Sequence, residues 1–136
     1  MGAAMAPAAL ETIQAHLLDM DRTADDFDLI ITGDLGQHGK QVLLELARRK
    51  GLNLGGKLAD CGTMIFDMNS QDVHSGGSGC GCSAVTLCGY LLDLLAKGSR
   101  KRILFCGTGA LLSPTSTQQG LPISGVWLAV SIRGGQ

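Results

Sequence analysis

Leu10, Ile13, Leu17 and Met20 recur at three- and four-residue intervals, the spacing that lines one face of an α-helix. The pattern predicts a helix over residues 7–20 with Pro7 in its first turn and His16 on its solvated side. Asp21 to Asp26 forms a polar connection. Leu29-Ile30-Ile31-Thr32 is a short, continuously apolar run of the kind that parallel sheets bury on both faces. Gly33-Asp34-Leu35-Gly36 turns the chain into a helix from about residue 38 to 50. That helix carries Val42, Leu43, Leu46 and Ala47 inward and closes on Arg48-Arg49-Lys50-Gly51, basic residues followed by a terminating glycine. His38 opens it, exposed to solvent. A short strand fits near Lys57-Cys61, and Gly62 to Gln71 reads as irregular. Residues 83–97 are apolar nearly all round, with Val85, Leu87, Cys88, Leu91, Leu92, Leu94 and Leu95, which predicts a central helix. Gly98 stops it, and Arg100-Lys101-Arg102 lead into strand Ile103-Leu104-Phe105-Cys106. Gly107 to Ser124 reads as a loop, and Val126, Leu128, Val130 and Ile132 share one side of a last strand over residues 126–132. The order α-β-α-β-α-β-β, with the last two strands antiparallel, makes the fold α/β. The chain opens on a helix, where an α/β layer ordinarily begins on a strand.

At 136 residues this is one domain by length. Glycine, at 20 residues, is about double its ordinary share of roughly 7%, so much of the chain is turn and loop. A net charge of −1 with both signs interspersed argues against a nucleic-acid binder. No apolar run approaches the roughly 20 residues that span a bilayer, and the first residues lack the basic stretch of a signal peptide. Five cysteines, an odd number in apolar or glycine-rich settings, fit a reducing compartment better than a disulfide framework. Cys88 and Cys106 read as small core residues. Cys61, His74, Cys80 and Cys82 are zinc-ligand types, but the C-x-C spacing lacks the two-to-four-residue spacer of zinc knuckles.

The run Asp72-Val73-His74-Ser75-Gly76-Gly77-Ser78-Gly79-Cys80-Gly81-Cys82-Ser83-Ala84 concentrates the candidate chemistry. Its glycines let backbone N–H groups approach another group closely. The helix that follows begins with unpartnered N–H groups and a partial positive charge. Loop and helix start together suit an anion. The run is neither a dinucleotide fingerprint nor a Walker A loop. The competing reading is that the glycines serve tight packing of the helix start against a neighbouring element.

At Thr32-Gly33-Asp34-Leu35-Gly36, Asp60-Cys61-Gly62, Gln71 to Tyr90 and Gly109-Ala110-Leu111-Leu112-Ser113-Pro114 the chain resembles the stage V sporulation protein AD family of spore-forming bacteria, over essentially residues 1–133. The resemblance implies a thiolase-like fold. On it, residues 1–136 are the C-terminal half of that fold, a mixed sheet flanked by helices with its first strand missing, in a family more than twice this length. It also implies binding of dipicolinic acid, or its calcium chelate, for uptake into the developing spore. The implied setting is the cytoplasmic face of the inner spore membrane, with the other stage V A-series proteins as partners. The absent N-terminal half, or a second copy of this chain, would complete the fold. No cofactor is implied, calcium entering only with the ligand.

Condensing enzymes of this fold carry a histidine just after the strand matching residues 29–32, where this chain has Gly33-Asp34, and their nucleophilic cysteine lies in the absent half. Without an imidazole or amide pair aimed at one point there is no oxyanion hole of the usual kind. Cys80 or Cys82, near a helix start, would have a lowered pKa, but only His74 is at hand as a base. The resemblance therefore implies a non-catalytic binding protein. Its alternatives are an acyl-transferring condensing enzyme, or a structural half-module or truncated copy. The candidate ligand residues are His74, Ser75, Gly77, Ser78, Gly79, Cys80 and Ser83. Thr108 and Ser113 join them from the end of a central strand, where α/β sheets place ligands. Asp60, Asp67 and Asp72 are the oxygen ligands available to the calcium of a chelate. Where the family carries a histidine in the last strand, this chain has Leu128.

Overall fold

In the computed structural model, which describes residues 2–111, 114–121 and 124–135, β1 (Leu29–Thr32) forms the middle of the sheet. It pairs in parallel with β2 (Leu58–Asp60) on one side and β3 (Arg102–Leu111) on the other, and β4 (Ser124–Arg133) lies antiparallel to β3. The order β2-β1-β3-β4 gives a mixed four-stranded sheet with helices on both faces, the α/β arrangement read from the alternation of elements. The open place expected beside a strand without its neighbour is not found at β1, whose partners on both sides satisfy its ladder. The sheet's free edges are those of β2 and β4.

On one face, α1 (Gly2–Asp19) and α2 (Gly36–Arg49) pack Leu10, Ile13, Leu17, Leu43 and Ala47 against Phe27, Ile30 and Leu104. Helix α1 starts five residues before the predicted boundary, with Pro7 inside it, because its first turn lies against α2: a Cβ on Gly39 would come within 2.9 Å of Gly2. Met20 falls beyond α1 and is exposed. His16 is not solvated as predicted. Its ring stands beside Phe27, and its Nε2 is shut off from solvent with no partner among the described residues.

The opposite face is covered by α3 (Cys61–Met64) and by a helical run in three parts: α4 (Cys82–Thr86), a π turn (Leu87–Leu91) and α5 (Leu92–Ala96). Its buried residues are Cys82, Thr86, Leu91 and Leu95, of which Cys82, Leu91 and Leu95 join Ile31 and Ile103 in one core cluster. The central position expected of this helix does not hold all round. Val85, Tyr90 and Leu92 are exposed, and Cys88, expected in the core, is exposed as well. Cys106 is buried as expected.

The predicted loop from Gly107 is strand as far as Leu111, and the short helix α6 (Pro114–Gln118) follows. Pairing with β4, in register Thr108↔Trp127 and Leu111↔Ser124, holds these small residues extended. Along β4 the predicted alternation is present: Trp127 is buried, while Leu128 and Val130 on the other side are 72% and 53% exposed.

Candidate functional site

The carboxyl ends of β1 and β2 converge on one buried side chain. Asp60, the last residue of β2, is fully buried. Its Oδ1 accepts the Thr32 hydroxyl at 2.7 Å and the Leu35 N–H at 2.8 Å, and its Oδ2 accepts the Gly36 N–H at 3.0 Å. One carboxylate thus ties β1, the turn after it and the first residue of α2. Asp60 serves the scaffold of the site and is not presented to a calcium ion. Gly36 sits at φ 71°, and a Cβ there would come within 2.8 Å of Ser75 O, so glycine lets the 75–79 loop lie directly on the turn.

The glycine-rich loop is pinned to that turn. Gln37 N–H donates to Ser75 O at 2.7 Å, Ser75 Oγ and His38 Nδ1 are 2.6 Å apart, and Gly77 N–H donates to Gly62 O at 2.7 Å. Asp34 receives the Ser78 hydroxyl at 3.0 Å and the Gly79 N–H at 3.2 Å through the same oxygen. Gly76 N–H reaches Val73 O, and Cys82 N–H reaches Gly79 O. The N–H groups of Gly76, Gly77, Gly79 and Cys82, among those expected to cradle an anion, are therefore spent on the protein itself. His38 is exposed, as expected, and also tethers Ser75.

Between loop and turn lies an open cleft of about 200 Å³, whose walls include Met5, Asp34, Gly36, Ser75, Gly77 and Ser78. It is smaller than the roughly 300–1,000 Å³ typical of enclosed ligand pockets. Asp34 supplies the only formal charge among its described lining residues. With Ser75 and Ser78 beside it, the cleft presents oxygen ligands, the set that hard cations prefer. Sequence reasoning placed Asp34 after β1 but did not name it as a site residue. The signal it missed is that Asp34 and Gly79, far apart in sequence, meet at one hydrogen bond.

Of the residues expected to contact ligand, Ser75, Gly77 and Ser78 line this cleft and Gly79 flanks it through Asp34. His74 does not line it. It projects into solvent at φ 51°, with its Nδ1 3.2 Å from Asp72 Oδ1. Cys80 is exposed and Ser83 half-buried at the helix start. The backbone of Thr108 belongs to β3, its side chain lies outside the described residues, and so does Ser113. Asp67 organises its own turn, accepting Asn69 N–H at 3.0 Å and Ser70 Oγ–H at 2.5 Å, bonds that hold its carboxyl below the usual range. Among the described residues no three His, Cys, Asp or Glu side chains converge as a metal cluster, so Asp60, Asp67 and Asp72 are not brought together, nor are the four zinc-type residues.

Cys82, at the helix start, does not have the lowered pKa expected there, and neither does its neighbour Cys61. Burial pushes Cys61 up to about 12, with the Asp60 charge acting the same way. Burial, aided by Asp34 and Asp60, also raises Cys82. Both are held as thiols at neutral pH, the poorly nucleophilic form. A larger cavity of about 430 Å³ lies at the far end of α2, between Leu44, Arg48, Leu52 and Leu54. Its one cation, Arg48, is engaged with Glu45, whose carboxyl the Arg48 and Arg49 guanidiniums hold down to about 2.

Comparison with known proteins gives a family match and a relative. The family model described as stage V sporulation protein AD (SpoVAD) matches residues 1–133. The stage V sporulation protein AD of Bacillus subtilis (strain 168) is 47% identical over 119 residues, 88% of this chain and 35% of that protein. The chain thus spans about a third of the length of this curated relative. Among the described residues no helix is long and apolar enough to cross a membrane.

Proposed function

The chain belongs to the stage V sporulation protein AD family, and from that premise we propose that it acts in sporulation as a non-catalytic binding component for dipicolinate, taken as its calcium chelate. The observation that carries the choice of chelate is Asp34, the one charged side chain among the described residues that line the glycine-rich cleft. Free dipicolinate is a flat dianion that would meet the Asp34 carboxylate oxygens, while the Gly76, Gly77 and Gly79 N–H donors are already engaged. In the chelate, calcium is held by the ring nitrogen and both carboxylates, so the complex is neutral and its metal still seeks oxygen ligands. Asp34 with the Ser75 and Ser78 hydroxyls offers them. Because the chelator supplies about three of calcium's six to eight ligands and water can fill others, a few oxygen ligands suffice and no protein metal cluster is needed. The raised thiols Cys61 and Cys82 support the non-catalytic reading. On this reading the chain has a thiolase-like architecture and works on the cytoplasmic face of the inner spore membrane with the other stage V A-series proteins. A further protein segment or a second copy supplies the facing wall of the site.

Calorimetric titration of the chain with calcium dipicolinate, with dipicolinate in a calcium-free buffer, and with calcium alone tests the reading. The chelate is expected to bind at least tenfold more tightly than either component, with Asp34→Asn removing most of that preference. Equal affinity for chelate and free dianion, unmoved by Asp34→Asn, would overturn it.

A further inference from the structure

A second charged feature lies at the opposite end of the sheet, away from the glycine-rich cleft. The antiparallel register sets Arg102, the first residue of β3, directly opposite Arg133, the last of β4. Like charges facing each other across a strand pair destabilise it, so this pairing is a cost that the fold carries. Arg100 and Lys101 immediately precede it. Arg100, Lys101 and Arg133, together with Leu95, Gly98 and Gly134, line a cleft of about 280 Å³.

Asp26 and Asp28 lie near enough to attract Arg100, Lys101 and Arg102 but form no ion pair with them, their carboxylates being taken by hydrogen-bond donors. Asp28 accepts the backbone N–H groups of Lys101 at 2.6 Å and Arg102 at 3.0 Å, and Asp26 accepts the Thr23 N–H at 2.7 Å. Among the described residues, none of Arg100, Lys101, Arg102 and Arg133 has a carboxylate at ion-pair distance. The end of α5 does not consume these cations either. Its last carbonyls take backbone donors, Leu95 O from Gly98 at 3.1 Å and Leu94 O from Arg100 at 3.2 Å. Gly134 holds the wall in place, its N–H donating to Lys101 O at 3.0 Å, and a Cβ there would come within 2.7 Å of Leu95 O.

We propose that this cleft binds a phosphate group, with Arg100, Lys101 and Arg133 as its counter-charges. Guanidinium forks match phosphate oxygens in pairs, and a lysine ammonium adds a point charge. A bound dianion also offsets the repulsion between Arg102 and Arg133, which gives the opposed pair a purpose that packing does not. The phosphate belongs either to a soluble ligand or to the headgroup of an anionic phospholipid, which present the same chemistry to the cleft.

The test is thermal unfolding of the full chain in inorganic phosphate against chloride at matched ionic strength. Co-sedimentation with phosphatidylglycerol vesicles, against phosphatidylcholine vesicles, is the second arm. Phosphate is expected to raise Tm saturably, and Arg100→Gln and Arg133→Gln each to weaken the apparent affinity about tenfold. In chloride alone Arg133→Gln is expected to melt no lower than the parent, since it removes a like-charge pair; an arginine kept for the fold would melt lower. Binding to phosphatidylglycerol but not to inorganic phosphate, lost in the same variants, assigns the site to a lipid headgroup. Absence of both, or binding unchanged in the Arg100→Gln/Arg133→Gln double variant, overturns the proposal.

Discussion

Asp60 shows most clearly how a residue's role depends on contacts that the sequence does not display. From the sequence it was one of three aspartates available to the calcium of a chelate. Its three donors sit on Thr32, Leu35 and Gly36, more than twenty residues earlier. Asp60→Ala leaves buried donors unsatisfied and is expected to cost about 3 kcal/mol or more in chemical denaturation, with Asp60→Asn, which keeps one acceptor, costing about half as much. A calcium ligand would show the reverse pattern, with stability unmoved and binding lost. His16 carries a pH signature. Burial, with Arg22 adding to it, lowers its pKa; a group depressed in the folded state contributes stability above its unfolded pKa and loses it as pH falls. Asp28, held low by the Arg102 and Lys101 N–H groups, acts in the same direction at more acidic pH. The Tm of the chain is therefore expected to decline first below about pH 6.5 and again below about pH 4, and His16→Gln to abolish the first decline.

At the scale of elements, the helices and strands were legible wherever one regular period ran through them. Leu10, Ile13 and Leu17 in α1, and Leu43 and Ala47 in α2, are buried as their spacing implied. The run from Cys82 to Ala96 was misread because its period changes midway. The buried residues Cys82, Thr86, Leu91 and Leu95 are spaced four, five and four apart. In an uninterrupted α-helix of 3.6 residues per turn, Leu91 would rotate well away from Thr86; the π turn at Leu87–Leu91 takes up the extra residue and keeps all four on one face. Deleting Gly89, which is exposed and where an added Cβ would meet nothing within 4 Å, is expected to convert the turn to α-helix and, by setting Leu91 four residues after Thr86, to keep Leu91 and Leu95 on the sheet. The denaturation midpoint is expected to correspond to a change of less than about 1 kcal/mol. A loss of about 2 kcal/mol or more would mean that the π turn itself is needed for packing. β3 and β4 were read too short because glycine and alanine carry no strand signal of their own, and their ten-residue lengths come from pairing with each other.

For the whole molecule, the α/β order and the mixed sheet could be read from the sequence, and so could the concentration of candidate chemistry in the 72–84 run. The cleft could not, because it is made by long-range contact between that run and the turn after β1. The molecule also presents an open edge at β4, with Leu128 and Val130 largely exposed, and Val85 and Tyr90 exposed on the helical run. A long apolar edge strand is a template for pairing with another chain. Sedimentation of the isolated chain is expected to show concentration-dependent association that Leu128→Lys suppresses; a concentration-independent monomer would contradict this.

The most direct measurement is amide NMR mapping of the chain during titration with calcium dipicolinate. The glycine-rich cleft account expects saturable shifts confined to residues 34–37 and 75–79, reduced in Asp34→Asn. Saturable shifts clustered elsewhere, with those two segments unmoved, would contradict it.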